Sequence, residues 1–182
     1  PRRRELLGLF HLPFTVRVAD IDETMDPHNS PENEVARVSA LKANAIERTD
    51  NDLVIAADTI VVCDGQILGK PRDEADAFRM LQMLSGRDHQ VMTGMTVLLG
   101  EQQLTHTEIT HIYFRTLSEQ EIRAYIATGE PMDKAGAYGI QGGAALFAHR
   151  IEGDYFNVVG LPVCRLGQLL RQLAPELLEE TQ

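Results

Sequence analysis

Leu53-Val54-Ile55-Ala56-Ala57-Asp58-Thr59-Ile60-Val61-Val62-Cys63-Asp64-Gly65-Gln66-Ile67-Leu68 is the stretch that decides the fold. Leu53 to Ala57 is continuously apolar, which predicts a strand buried on both faces. Ile60 to Cys63 and Gln66 to Leu68 flank Asp64-Gly65, a pair that favours the tight turn of a β-hairpin. Asp58 breaks the apolar run, so its carboxylate is expected at or near the C-terminal end of a buried strand. In α/β sheets, ligands bind outside that end. A loop Asp capping the following turn explains the position about as well.

Helical signals lie on either side. Ser30-Pro31-Glu32 supplies an N-cap, a proline at the first helical position and an early negative charge. Val35, Val38, Leu41 and Ala45 then predict one apolar stripe. Asp73 caps a second predicted helix, with Ala77, Met80, Leu81 and Leu84 at helical spacing. Ser118 and Glu121 form a capping box, Ile122, Tyr125 and Ile126 the stripe, and Gly129 before Pro131 the stop. Leu166, Leu169, Leu170 and Leu173 repeat the spacing near the C-terminus, where Glu179-Glu180 is expected to fray. Pro1, followed by Arg4, Glu5, Leu6 and Leu7, reads as the first turn of a helix, so further residues are expected upstream. His89 to Leu99 and Leu104 to Phe114 are β-rich runs separated by a turn at Gly100. Strands and helices interleave without a linker or repeat, which predicts an α/β or α+β fold in one unit.

Composition narrows the function. At 182 residues the chain suits one domain or two intimately packed lobes. Lys plus Arg is 17 and Asp plus Glu is 27, a formal net charge of −10. Such an acidic chain, with no Trp, is a poor general nucleic-acid binder, and any phosphate chemistry needs a local cluster of cations. No run of about 20 apolar residues is present to span a membrane. Cys63 and Cys164 lie far apart and form no C-x-x-C unit, which argues against a disulfide framework or a zinc site.

Two motif matches fail. Gly65 to Lys70 has too few residues between its glycines for a phosphate loop, and Pro71 stands where Ser or Thr must reach the metal. Asp73-Glu74-Ala75-Asp76 spells a helicase box, but helix-dipole stabilisation of a first turn accounts for those acids. None of the six histidines reads as a ligand. Three features remain. Lys70 is a fixed cation before Pro71. Glu23 belongs to the acidic cluster Asp20-Ile21-Asp22-Glu23, for which solvated loop charge is the simpler account. Asp133 to Gly143 packs four glycines around Lys134, Tyr138 and Gln141, letting backbone N–H groups approach a ligand closely.

Six blocks together resemble the Maf family: P-R-R-x-E-L-L at the start, A-A-D-T at Ala56 to Thr59, G-K-P at Gly69 to Pro71, L-S-G-R at Leu84 to Arg87, E-P-M-D-K-A-G-A-Y-G-I-Q-G at Glu130 to Gly142, and G-D-Y-x-x-V-V-G-L-P at Gly153 to Pro162. They occur in the family's order along nearly the whole chain. The resemblance implies a house-cleaning nucleotide pyrophosphatase that splits a nucleoside triphosphate into monophosphate and pyrophosphate with a divalent cation, Mg²⁺ or Mn²⁺. It implies an α/β fold: a mixed twisted sheet with flanking helices in two lobes around a deep cleft, similar to the inosine triphosphate pyrophosphatases. It further implies a cytoplasmic homodimer with no nucleic-acid or membrane partner. The family's opening strand and Ser-containing turn have no counterpart ahead of Pro1.

Under this resemblance Glu23 and Asp58 are the metal carboxylates, since Mg²⁺ takes one or two protein carboxylates plus water and phosphate oxygens. Asp58, Lys70 and Glu23 form the expected catalytic set, and Arg3, Lys42 and Lys134 the phosphate-binding cations. The family assigns Asp58 as proton acceptor for the attacking water. A carboxylate beside a metal is a weak base, so orienting the water is the other role, and the sequence leaves both open.

Family members divide at three positions. One subgroup carries Trp, Gln and Glu and prefers 7-methyl-GTP; the other carries Arg, Thr and Gln and prefers dTTP and UTP. Arg2, Thr59 and Gln141 match the pyrimidine subgroup, with 5-methyl-UTP a further expected substrate. An amide offers both a donor and an acceptor to the edge shared by thymine and uracil. The alternatives are a 7-methyl-GTP pyrophosphatase and a nucleotide-binding regulator of septum formation that performs no chemistry.

Overall fold

Asp64 and Gly65 both take positive φ, 51° and 72°, and turn the chain back on itself as the sequence predicts. The hairpin joins β1 (Leu53–Cys63) to β2 (Gln66–Leu68), with Cys63 opposite Gln66. The computed structural model describes residues 1–179. Its other strands are β3 (Asp88–Leu99), β4 (Gln102–Phe114) and β5 (Ala148–Glu152), and the sheet order is β2-β1-β3-β4-β5. β4 and β5 are antiparallel, with a shift of register between Tyr113 and Phe114. The helices are α1 (Arg2–Leu7), α2 (Pro31–Asn44), α3 (Glu74–Leu84), α4 (Glu119–Ala127), α5 (Tyr155–Val159), α6 (Val163–Leu173) and α7 (Glu176–Glu179). The α/β class read from the sequence is the class observed. Among the described residues, no helix is long and apolar enough to cross a membrane.

Residues 53–63 differ from the sequence expectation in two ways. β1 is one strand of eleven residues, so Asp58 lies in its middle and not at its C-terminal end. Leu53 to Ala57 are half-buried, while full burial begins at Ile60. Asp is disfavoured in strands, but a cation partner described below supports this one.

The contacts divide the chain into two compact units: residues 1–58, 93–108 and 160 onward, and residues 59–92 with 109–159. In the first unit, α2 carries the Ser30 cap as predicted, with Ser30 Oγ accepting the Asn33 N–H at 3.2 Å. Its stripe is only half right. Val35 and Val38 are buried, but Leu41 is 40% exposed and Ala45 lies beyond the helix. Glu34, Ser39 and Ala43 take the buried positions instead. α2 lies so close to β3 that a Cβ on Gly94 would stand 2.3 Å from the Val35 carbonyl oxygen. Ser39 Oγ and Thr96 Oγ1 meet there at 2.9 Å, which satisfies both buried hydroxyls. Leu166, Leu169 and Leu170 of α6 are buried as predicted, Leu173 half so, and Glu180 of the expected fraying tail lies outside the described residues.

In the second unit, α3 and α4 pack together, and their caps and stripes are those predicted. Asp73 caps α3 by accepting the Asp76 N–H at 2.7 Å, and the Ser118–Glu121 capping box is complete. Gly129 takes φ 77° after α4. Cys63 is buried and Cys164 exposed, both free thiols.

Candidate active site

The candidate residues fall into two sets, one in each unit. In the first unit, Lys42 near the end of α2 reaches two carboxylates at once. Its Nζ donates to Asp58 Oδ1 at 2.9 Å and lies 3.1 Å from Glu23 Oε1. Asp58 and Lys42 are largely buried, whereas Glu23 is about half exposed (55%). Arg3 of α1 donates from Nε to the Gly160 carbonyl oxygen at 2.9 Å. Burial pulls its guanidinium below the ordinary value; Asp58 opposes this most, Arg2 adds to it and Glu23 opposes it. Arg3, Glu23 and Lys42 line a cavity of about 780 Å³, whose apolar wall includes Phe14, Val16 and Ile55. That volume suits a small-molecule ligand.

Glu23 lies in a segment without regular structure, yet the segment is tied down. The buried Glu34 carboxylate accepts the Asp26 N–H at 2.7 Å, the Asn29 amide at 3.1 Å and the Arg37 guanidinium at 2.7 Å. Arg37 reaches on to the Thr24 carbonyl oxygen at 3.0 Å. Chiefly because of Arg37, and then the Asp26 N–H, the Glu34 carboxyl is held down to about 2. Sequence reading missed this brace; a Glu at a position that the helix buries is its only local signal.

Glu23 and Asp58 fit a Mg²⁺-type site, which needs only one or two protein carboxylates. Both already converge on one cation, the Lys42 ammonium. Among the described residues, no group of three or more metal-ligating side chains is present.

The second unit holds Thr59, Lys70, Lys134 and Gln141. Strand alternation places Thr59 on the same face of β1 as Val61. The glycine-rich segment packs there: a Cβ on Gly136 would meet the Val61 methyls at 2.9 Å. The Gly136 N–H donates to the Gly69 carbonyl oxygen at 3.1 Å, which brings the segment beside the residue before Lys70. Lys70 itself is exposed. Lys134 Nζ bonds the Glu130 carbonyl oxygen at 3.0 Å and Asp133 Oδ1 at 2.9 Å. Gln141 is exposed in a turn closed by the Gly142 N–H on the Gly139 carbonyl oxygen at 3.1 Å. Arg2, the third expected specificity residue, is half-buried on α1 in the first unit.

Two buried aromatics support the glycine-rich segment. Tyr138 Oη lies 2.6 Å from His89 Nε2, and both rings stand edge-on to Phe114. Burial pushes the His89 imidazole down to about 3. The unfolded chain therefore takes up a proton near pH 6.5 that the folded chain refuses. The stability this gives is complete above about pH 6.5 and falls as pH drops toward 3, by about 1.4 kcal/mol per pH unit. Urea unfolding midpoints should fall between pH 7 and pH 5, and His89→Gln should flatten that slope. An unaltered slope would place the titration elsewhere.

Comparison with known proteins bears on the family of the chain. The family model described as "Maf-like protein" matches residues 1–173. A protein of Bacillus cytotoxicus named dTTP/UTP pyrophosphatase is 49% identical over 173 residues, covering 94% of this chain and 91% of its own length. Proteins of Bacillus cereus and Bacillus mycoides with the same name are 46% identical over the same share of each chain. The chain belongs to the Maf-like protein family.

Proposed function

We propose that this protein is a nucleoside triphosphate pyrophosphatase that hydrolyses dTTP and UTP to the monophosphate and pyrophosphate, a house-cleaning activity. The observation that carries this reading is the Arg3–Glu23–Lys42–Asp58 cluster, in a chain whose relatives are named dTTP/UTP pyrophosphatase. Arg3 and Lys42 supply local positive charge against a global field of −10, which a polyanionic substrate requires. Water attacks the α-phosphorus, the bond to the oxygen bridging the α- and β-phosphates breaks, and pyrophosphate leaves. Positioning and electrostatics dominate such a reaction. Asp58, held by Lys42, orients the water and accepts its proton; Lys70 and Lys134 are the further cations that this reading assigns to phosphate. A divalent cation on Glu23 and Asp58 would add charge neutralisation when bound. The same reading carries a cytoplasmic homodimer without nucleic-acid or membrane partners, and the net negative charge supports the first exclusion.

Base choice rests with Arg2, Thr59 and Gln141. A site built on hydrogen bonds rejects a mismatched edge strongly, while a 5-methyl group in an apolar pocket is worth only about 1–3 kcal/mol. Thus dTTP, UTP and 5-methyl-UTP are all substrates. Pyrophosphate release should be measured over a nucleotide panel with Mg²⁺, Mn²⁺ or EDTA. The expected kcat/KM for dTTP and UTP is at least about tenfold above that for GTP, ATP and 7-methyl-GTP. Gln141→Glu should erode the difference, because an ionised carboxylate only accepts. If 7-methyl-GTP is the best substrate, the base assignment is wrong; tight binding without release would make the protein a regulator instead.

A further inference from the structure

Gln141 is exposed, so its own contacts do not fix it; its turn does. The turn runs Gly139-Ile140-Gln141-Gly142, and its flanks are anchored on Tyr125 of α4 and on Glu130, three residues beyond that helix. The Gly139 N–H donates to Tyr125 Oη at 3.1 Å. Tyr125 Oη donates in turn to Glu130 Oε1 at 3.0 Å, and the Gly143 N–H donates to Glu130 Oε2 at 3.2 Å. One carboxylate and one phenol thus hold the amides on either side of Gln141. The approach leaves no room for a side chain while Glu130 and Tyr125 hold these positions: a Cβ on Gly142 would stand 1.9 Å from Glu130 Oε1, and one on Gly143 2.9 Å from Tyr125 Cε2. Tyr125 is itself buried, edge-on to Phe147 at 5.2 Å.

We infer that Tyr125 and Glu130 are positioning residues that set base preference by fixing the turn that presents Gln141. This rests on the reading of Gln141 given above. A two-point hydrogen bond to a base edge discriminates only while donor and acceptor are held to within about 0.5 Å. Loosening the turn lets Gln141 adapt to other edges, so discrimination falls more than turnover.

Tyr125→Phe keeps the buried ring and removes the hydroxyl; Glu130→Gln keeps the shape and turns one acceptor into a donor. Both are compared with wild type and Gln141→Ala in two measurements, the ratio of kcat/KM for dTTP over GTP and amide hydrogen exchange at Gly139 and Gly143. The expected result is faster exchange at both glycines and a ratio lowered by about tenfold in each brace variant, with kcat for dTTP within a few-fold of wild type. Equal losses for dTTP and GTP would show general support of the fold and overturn the inference. So would an unchanged ratio in Tyr125→Phe and Glu130→Gln while Gln141→Ala abolishes the preference. If Gln141→Ala leaves the ratio intact, the reading of Gln141 fails first, and this inference with it.

Discussion

Asp58→Asn should lower turnover of dTTP by about 10²–10⁴-fold, the range associated with losing a group that handles a proton in the transition state. The substitution is isosteric and removes only the negative charge. Lys42 Nζ lies 2.9 Å from Asp58 Oδ1 and 3.1 Å from Glu23 Oε1, so the ammonium keeps a carboxylate partner when Asp58 is neutral. Leaving no orphaned buried charge, the variant should fold with an unfolding midpoint near that of wild type. Steady-state pyrophosphate release at saturating Mg²⁺, paired with urea unfolding, separates the two effects. Activity within a few-fold of wild type would remove Asp58 from the chemistry.

Gly94→Ala should produce the largest loss of stability from the smallest change in volume. The added Cβ would meet the Val35 carbonyl oxygen at 2.3 Å, the Val35 carbonyl carbon at 2.6 Å and the Ala36 nitrogen at 2.9 Å. These are backbone atoms inside a helix, so no rotamer change relieves the contact. α2 must move away from β3, stretching the bond between Ser39 and Thr96 and loosening the packing of Val35 and Val38. A cost of about 2–4 kcal/mol is expected, which lowers the melting temperature by roughly 5–15 °C in a chain of this size. Because α2 also carries Lys42, the residual activity at 25 °C should fall as well. A melting temperature within about a degree of wild type would contradict the close packing.

What could be read in advance was whatever depends on local chemistry. The Asp64-Gly65 turn, the caps at Ser30, Asp73 and Ser118, and the stripes of α3 and α4 follow from a few adjacent residues. What escaped depends on partners distant in sequence. Asp58 is expected near a strand end because it breaks the apolar run, yet β1 continues through it with Lys42, sixteen residues earlier, as its partner. Glu34 and Ser39 fall outside the predicted apolar stripe of α2; they are buried, with the Asp26 N–H and Thr96 as their partners. The glycine-rich segment was visible as a loop near a ligand, but its dependence on Tyr125 and Glu130 was not. Tyr125 reads as one more member of an apolar stripe until its hydroxyl is placed.

The division of the candidate residues has a consequence for how such an enzyme could be altered. Asp58, Lys42, Glu23 and Arg3 belong to one unit of the chain, while Thr59 and Gln141 belong to the other. Substitutions at Thr59 and Gln141 can therefore redraw which base is accepted while Asp58, Glu23, Lys42 and Arg3 are untouched, as long as Lys70 and Lys134, which share their unit, are kept. For a directed-evolution library this singles out Thr59 and Gln141 as the first positions to vary, with Lys134 of the same segment held fixed. For natural descendants it makes a change of diet a shorter walk than a change of chemistry.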